Sequence, residues 1–480
     1  MHNFKLKIGA LLLVALAFSA NAFAETQNVK VSGSLDMYSV YRSNYDLLDQ
    51  NDGSFVPNGA ALSGAGAGIP AQSHTGTAGQ RSDADEFFFS ITQVEVSADL
   101  TDNVSTVINL INQRDWNANV LDSVGVSTNA GAGEFDVALD LAYVQMKEIF
   151  YTPLTLTIGR QDLLFGRGFI VGWNPQDPEG TIQADEFTQI QSFDAIRATL
   201  DFNPWTIDFV YSKVQEGSNN PEDDQDLYIA NINYKFAEYN AVAEGYYVGL
   251  YDRNTLAGAA GTFDNTTDTF GGRVQFDPIS QMTLGAELAY QGGDYKAALA
   301  NPTRDRGAWA MDLFGEYRWD NTWKPMVGIQ YVQLGGESDL SASVGDYGSW
   351  NGAFRGPIYG WYHDYKEVYY STGQTNDQVA GQNQQHISVY GSMQPMEDLK
   401  LTGAWWYFWA DEDMHTTVTN PATGTLDEGI GNEFDLAAIY SYTEDVTFTL
   451  MADWFIPGDM YNEPFDETAT QLIGEVKVTF

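Results

Sequence analysis

Apolar and polar side chains alternate along most of this chain with a period of two. Leu472, Gly474, Val476, Val478 and Phe480 interleave with Gln471, Ile473, Glu475, Lys477 and Thr479. Leu284, Ala286, Leu288 and Tyr290 interleave with Thr283, Gly285, Glu287 and Ala289, and Ile196, Ala198, Leu200 and Phe202 with Arg197, Thr199 and Asp201. Such alternation belongs to strands with two chemically different faces, not to amphipathic helices. About eighteen strands are predicted, at 29–43, 87–100, 104–116, 135–147, 154–161, 193–202, 205–214, 227–236, 239–251, 269–276, 282–291, 309–319, 324–334, 386–393, 399–409, 433–442, 446–455 and 469–480. Tight turns, such as 101–103, 203–204, 320–323 and 443–445, alternate with long connections rich in Gly, Asn, Asp and Ser, of which 335–385 is the longest.

Strict short–long alternation with an even strand count predicts an all-β fold, a transmembrane antiparallel β-barrel with short periplasmic turns and long extracellular loops. In lipid every backbone N–H and C=O must find a partner, and a closed barrel supplies one. Trp205, Phe202, Phe276, Trp319, Trp323, Tyr442 and Phe480 fall at turn-side strand ends. Trp116, Tyr211, Tyr251, Tyr290, Tyr331, Trp409 and Trp454 fall at loop-side ends. These are the expected two aromatic girdles.

The start of the chain reads as a secretory signal peptide over residues 1–24. Lys5 and Lys7 precede an apolar run from Ile8 to Phe18, and Ala22-Phe23-Ala24 suits cleavage. An anchor helix would need about 20 apolar residues. One barrel domain is then expected over 25–480 in a bacterial outer membrane. Outer-membrane lipid and lipopolysaccharide would be its surroundings, and the barrel-assembly machinery would read the terminal Phe480.

Charge and composition narrow the function. Against 65 Asp and Glu stand 23 Lys and Arg, a net charge of −42. No nucleic-acid partner is expected of such an acidic chain. No cysteine exists to supply disulfides or thiolate sites. No HExxH, Walker or GxSxG motif occurs, so no catalytic residue, metal site or cofactor is assigned and no enzyme activity is expected. Asp49-Gln-Asn51-Asp-Gly53 is an incomplete calcium loop. The acidic clusters at 83–86, 222–226 and 411–413 read as solvated surface. A surface hydrolase using His363 and Asp364 lacks a nucleophile beside them.

An unplugged barrel of this size encloses water. Strand parity turns Arg197, Arg273, Arg318, Lys400, Lys477, Lys30 and Arg42 into the lumen, with Asp36, Glu95, Asp99, Asp208, Glu244, Glu287, Asp312, Glu316, Asp453 and Glu475. Arg318 with Glu316, and Lys477 with Glu475, are candidate pairs along one strand. Arg160 shares parity with lipid-facing Leu154, Leu156 and Ile158; a bulge near Gly159 is expected to turn it inward, the alternative being a seat above the apolar band. The constriction is expected in 335–385, through Trp350, Arg355, Tyr359, Trp361 and Tyr365. These aromatic faces could stack on sugars; the plainer expectation is that they pack the loop on itself or on the wall. Residues 59–79, a run of Gly, Ala, Ser and Thr, are expected to be mobile.

Leu154-Thr-Leu-Thr-Ile-Gly-Arg-Gln161, then Phe165-Gly166 and Phe193-Asp-Ala-Ile-Arg197, resemble the alginate export family of outer-membrane proteins. So do Val94-Glu-Val-Ser-Ala-Asp-Leu-Thr-Asp-Asn103 and Asp140-Leu-Ala-Tyr-Val-Gln-Met-Lys147, the resemblance covering roughly 87–213. It implies an eighteen-strand barrel passing an anionic polysaccharide along an arginine-lined lumen. By position, Arg160, Arg167 and Arg197 would contact solute carboxylates. The residues themselves, with few arginines and many acids, predict instead a pore that favours cations or neutral solutes. An adhesin-type barrel with a closed lumen is the remaining alternative.

Overall fold

The structure, a computed structural model, describes residues 28–44, 84–116, 137–174, 182, 187–216, 224–254, 263–296, 302–337, 345–355, 383–412, 428–459 and 467–480. The predicted signal peptide, residues 59–79 and the His363–Asp364 pair lie outside them.

Twenty strands occur in chain order: β1 (Asn28–Ser43), β2 (Ala84–Thr101), β3 (Val104–Asp115), β4 (Ala138–Met146), β5 (Leu154–Gln161), β6 (Phe193–Asp201), β7 (Trp205–Gln215), β8 (Gln225–Lys235), β9 (Val242–Asn254), β10 (Phe263–Ile279), β11 (Met282–Gly292), β12 (Asp294–Tyr295), β13 (Arg304–Asp305), β14 (Ala308–Arg318), β15 (Met326–Leu334), β16 (Gln384–Met396), β17 (Leu399–Trp409), β18 (Gly429–Ser441), β19 (Val446–Pro457) and β20 (Ala469–Thr479). All but β12 and β13, which form a separate ribbon between β11 and β14 in sequence, belong to one 18-stranded antiparallel sheet. Each strand pairs with the next, and β20 returns to β1 from Ser34↔Thr479 to Ser43↔Thr470. The sheet closes without an edge, which leaves no unpaired ladder groups in lipid.

Alternation places chemistry on two faces. Across β18, β19 and β20, Leu436, Leu450 and Leu472 are exposed on the outside, while Asp435, Asp453 and Gln471 of the same strands are buried on the inside. On β11 and β15, Leu288 and Ile329 point out, Glu287 and Gln330 in. Greasy residues outside and polar residues inside make a stable object only where lipid replaces water around the wall. The turn-side aromatics Phe202, Trp205, Phe276, Trp319, Trp323, Tyr442 and Phe480 are all exposed at the rim. At the opposite rim Phe88 stacks on Trp116 at 5.5 Å and Tyr290 packs on Trp309 at 4.8 Å.

Several strands run further than the sequence pattern predicts. β10 starts at Phe263 rather than at 269, and β18 at Gly429 rather than at 433. These extensions rise on the loop side, beyond the apolar belt, where no lipid demands an apolar face. At the other end β10 reaches Ile279 through a register shift after Phe276, shortening the turn to Ser280-Gln281.

Candidate permeation path and its constriction

The inner wall from β9 to β16 carries three recesses made by glycine. Gly271, Gly285 and Gly328 are lumen-facing, and each lies under an aromatic ring of the neighbouring strand. An added Cβ would come within 2.3 Å of Tyr246 at Gly271, 2.1 Å of Phe314 at Gly285 and 2.3 Å of Tyr390 at Gly328. The partners are register neighbours: Gly285 faces Phe314, and Gly328 faces Tyr390. Lying flat on backbone, the phenol groups reach sideways to acids. Tyr246 donates to Glu287 at 2.8 Å and Tyr390 to Glu316 at 2.9 Å.

The third outer loop, between β5 and β6, folds down onto this surface. Phe165, Gly166 and Arg167 bridge three parts of the wall. Arg197 of β6 lies 5.1 Å from the Phe165 ring centroid, and the Arg167 guanidinium lies 3.8 Å from that of Phe314 on β14. Between them Gly166, at φ +58°, sits over Arg273 of β10, whose Nε would be 3.0 Å from a Cβ there. A side chain at this position would meet both a left-handed backbone and the guanidinium. The loop's later residues line the opposite side: Gln113 donates to Thr188 at 2.8 Å, Gln189 donates to Asp36 at 3.2 Å, and Phe187 packs on Tyr38 and Phe89 at 5.2 Å. Asp162 opens this loop; burial raises its carboxyl pKa, and the nearby Arg160 partly opposes the shift.

The seventh outer loop joins it. Gly172 and Trp173 N–H groups donate to the Phe354 carbonyl at 2.8 and 3.2 Å, and Phe169 stacks on Trp350 at 6.5 Å. Phe354 packs on Phe193 at 5.6 Å. Trp350 and Arg355 are buried, so the plain packing expectation holds for Trp350, and the indole offers no face to a sugar. Tyr359, Trp361 and Tyr365 lie outside the described residues. Among the described residues the segment that folds onto this inner wall is the third loop, in contact with the seventh, and the alternation signal could not single it out. Its one clue was Phe165-Gly166-Arg167, an aromatic and a cation separated by a glycine.

Charge in the lumen is layered. Arg197 Nε meets Asp208 at 2.8 Å, Arg273 Nε meets Glu244 at 3.1 Å, Arg167 meets Asp312 at 3.4 Å and Lys477 Nζ meets Asp36 at 3.2 Å. In every pair the cation is the more exposed partner: 27% against 5%, 10% against 3%, 25% against 1% and 41% against 0%. Arg318 repeats this over Glu316 near the turn-side mouth, where Arg318 also donates to Thr283. Short carboxylates hug the wall, and long basic side chains arch over them. Lys477 therefore pairs across the ladder with Asp36, not along the strand with Glu475. Lys400 is on the lumen face of β17 near the same mouth, exposed and two residues from buried Thr402. Glu287 and Asp312 are buried; Asp312 also accepts from Gln330 at 2.8 Å.

Arg160 departs from its expected place. Gly159 takes φ +123°, yet the ladder runs through it without a register shift, pairing Gly159 with Ala195 and Arg160 with Asp194. Ala195 is buried and Asp194 exposed, so Arg160 keeps the outward parity of Ile158 and Ile196. It escapes the hydrocarbon by sitting at the loop-side strand end, 3.6 Å from Asp194 and donating to the Asp140 carbonyl at 3.1 Å.

Comparison with known proteins gives a consistent result. The family model for alginate export matches residues 76–475. No curated protein matches. Among solved structures, Pseudomonas aeruginosa OpdK with vanillate aligns at TM-score 0.51 and 12% identity, covering 95% of this chain and 100% of that one. Pseudomonas aeruginosa OccK8 (OprE) aligns at 0.51 and 11%, covering 95% and 98%. Acinetobacter baumannii OccAB1 aligns at 0.52 and 11%, covering 96% and 99%.

Proposed function

Because the chain belongs to the alginate export family and forms a pore of the bacterial outer membrane, we propose that its solute is a carboxylate-bearing molecule, a polyuronate chain or a smaller acid, moving by diffusion. The observation that carries this reading is the layering of charge. Parity alone counts more acids than bases in the lumen, but a solute meets what water meets, and at the third-loop constriction those groups are Arg167 and Arg197. Both present guanidinium edges able to take a carboxylate by paired N–H donors. Arg273 and Glu244 are more deeply seated and serve as the floor beneath Gly166. Arg318, Lys400 and Lys477 extend the exposed cations toward the periplasmic mouth. Arg160, on the outer face, takes no part in permeation.

The test is a planar-bilayer recording across a KCl gradient, followed by addition of an alginate oligosaccharide and, separately, a neutral dextrin of equal length. The expected outcome is an anion-preferring reversal potential and current block by the alginate alone. A cation-preferring potential with equal block by both sugars would instead support the general, cation-leaning pore that the net charge suggests.

The proposal extends to biogenesis. Residues 1–24 are a cleaved signal peptide, and residues 25–480 a single barrel domain. Phe480, exposed at the turn-side rim and exchanging backbone hydrogen bonds with Gly33 at 2.9 and 3.0 Å, is the residue offered to the assembly machinery.

A further inference from the structure

We propose that Gly285, on the lumen face beneath the Phe314 ring, sets the charge selectivity of the pore by fixing the height of Arg167 above the wall. This rests on the reading of Arg167 as a selectivity cation. At this point the wall is a stack of three layers. The backbone of Gly285 is the floor, the Phe314 ring lies on it, and the Arg167 guanidinium lies on the ring at 3.8 Å. Asp312, one residue pair away on the same face of β14, holds the guanidinium laterally at 3.4 Å and is itself fixed by Gln330 at 2.8 Å.

The stack leaves no slack. A Cβ at Gly285 would lie 2.1, 2.3 and 2.9 Å from Cε1, Cζ and Cδ1 of Phe314, three atoms of a rigid ring. The backbone floor cannot retreat, since Gly285 is laddered to Phe314 on one side and to Gln275 on the other. The ring must therefore tilt or lift, and its tilt removes the flat face on which a guanidinium is attracted. Arg167 then either follows the ring further into the bore or falls back toward Asp312, whose buried carboxylate quenches it. In both cases the cation leaves its present position without any change in the number of charges. Gly285 and Phe314 are positioning residues in this arrangement; Arg167 is the group the solute meets.

The experiment measures the anion-to-cation permeability ratio of Arg167→Ala, Gly285→Ala and Phe314→Ala, alone and in pairs, in barrels shown to be folded by heat-modifiable gel mobility. Losing the cation should lower the ratio about sixfold, the weight of one charge at about 4 Å in water. Gly285→Ala should change it about twofold, and should have no further effect in the Arg167→Ala or Phe314→Ala backgrounds, as members of one stack do not add. A folded Gly285→Ala pore with the wild-type ratio, beside a shifted Arg167→Ala pore, overturns the inference alone. An unshifted Arg167→Ala pore overturns the functional reading beneath it as well. Should Gly285→Ala fail to fold, Phe314→Ala carries the test, and an unchanged ratio there is equally decisive against the stack.

Discussion

Asp208 offers a counterintuitive test of layered charge: removing this acid should strengthen anion preference, while removing its partner Arg197 should weaken it by more. Asp208 is buried and accepts from Arg197 Nε at 2.8 Å and from Thr199 Oγ1 at 2.5 Å. A solute carboxylate about 4 Å from the guanidinium, on its bore side, stands about 7 Å from Asp208. At the dielectric constant of water the attraction is about 1.0 kcal/mol and the repulsion about 0.6, leaving about 0.4. Asp208→Asn removes the repulsion, keeps the side-chain shape, and should raise anion occupancy about threefold. Arg197→Ala removes the attraction and leaves the acid, a swing of about 1 kcal/mol and a roughly sixfold loss. Reversal potentials at low salt measure both, and the difference should shrink as ionic strength rises and screening shortens the reach of each charge. If Asp208→Asn moves the potential toward cations, or both variants move it the same way, the bore does not see the pairs in this order.

Two other outcomes follow from the geometry. Trp350→Ala, removing the seventh-loop ring that stacks on Phe169 of the third loop, should lower stability by about 3–5 kcal/mol, seen as a fall in the temperature of heat-modifiable mobility. Leu450→Arg, at an exposed outward site in the interior of β19, should cost about 2–4 kcal/mol of folding into bilayers, whereas the adjacent inward Thr449→Arg should be tolerated and shift ion selectivity; the comparison is made by urea titration in lipid vesicles.

The wall of this barrel was readable in the sequence because lipid imposes a hard rule on it. Residues such as Leu436, Leu450 and Leu472 must be apolar, so their alternation with Asp435, Asp453 and Gln471 shows through without knowledge of partners. The rule ends where lipid ends, which is why the polar run Asp264 to Asp268 in β10 was not legible as strand. The constriction obeys no local rule at all. Arg167 finds Asp312 at a separation of 145 in sequence and lands on a ring that lies over a glycine of the neighbouring strand. Parity assigned Arg197 and Asp208 to the same face but gave no depth. Depth follows from side-chain length, since an aspartate is too short to reach past an arginine anchored beside it. That inference was available from residue types once cross-strand neighbours were known, and it was not available before. For Arg160 the sequence suggested two escapes from lipid, and the structure takes the vertical one, at the strand end, rather than the inward one.

The layered pairs also reconcile an acid-rich chain with the proposed passage of anions. A ladder of unpaired arginines would attract a polyanion strongly and release it slowly, and conduction needs sites weak enough to leave. Seating each cation over a buried acid reduces its pull at contact to about 0.4 kcal/mol in water and makes that pull fall off as a dipole, not as a charge. The acid does a second task by holding the guanidinium in one orientation, so a passing carboxylate meets fixed donors and not a mobile side chain. The same pairing satisfies groups that could not be buried alone: Asp312 and Asp208, nearly closed to water, would each carry a large desolvation penalty without the cation above. Fold stability and shallow solute binding thus call for the same arrangement, a short acid on the wall under a long base, repeated from Asp208–Arg197 through Glu244–Arg273 and Asp312–Arg167 to Asp36–Lys477.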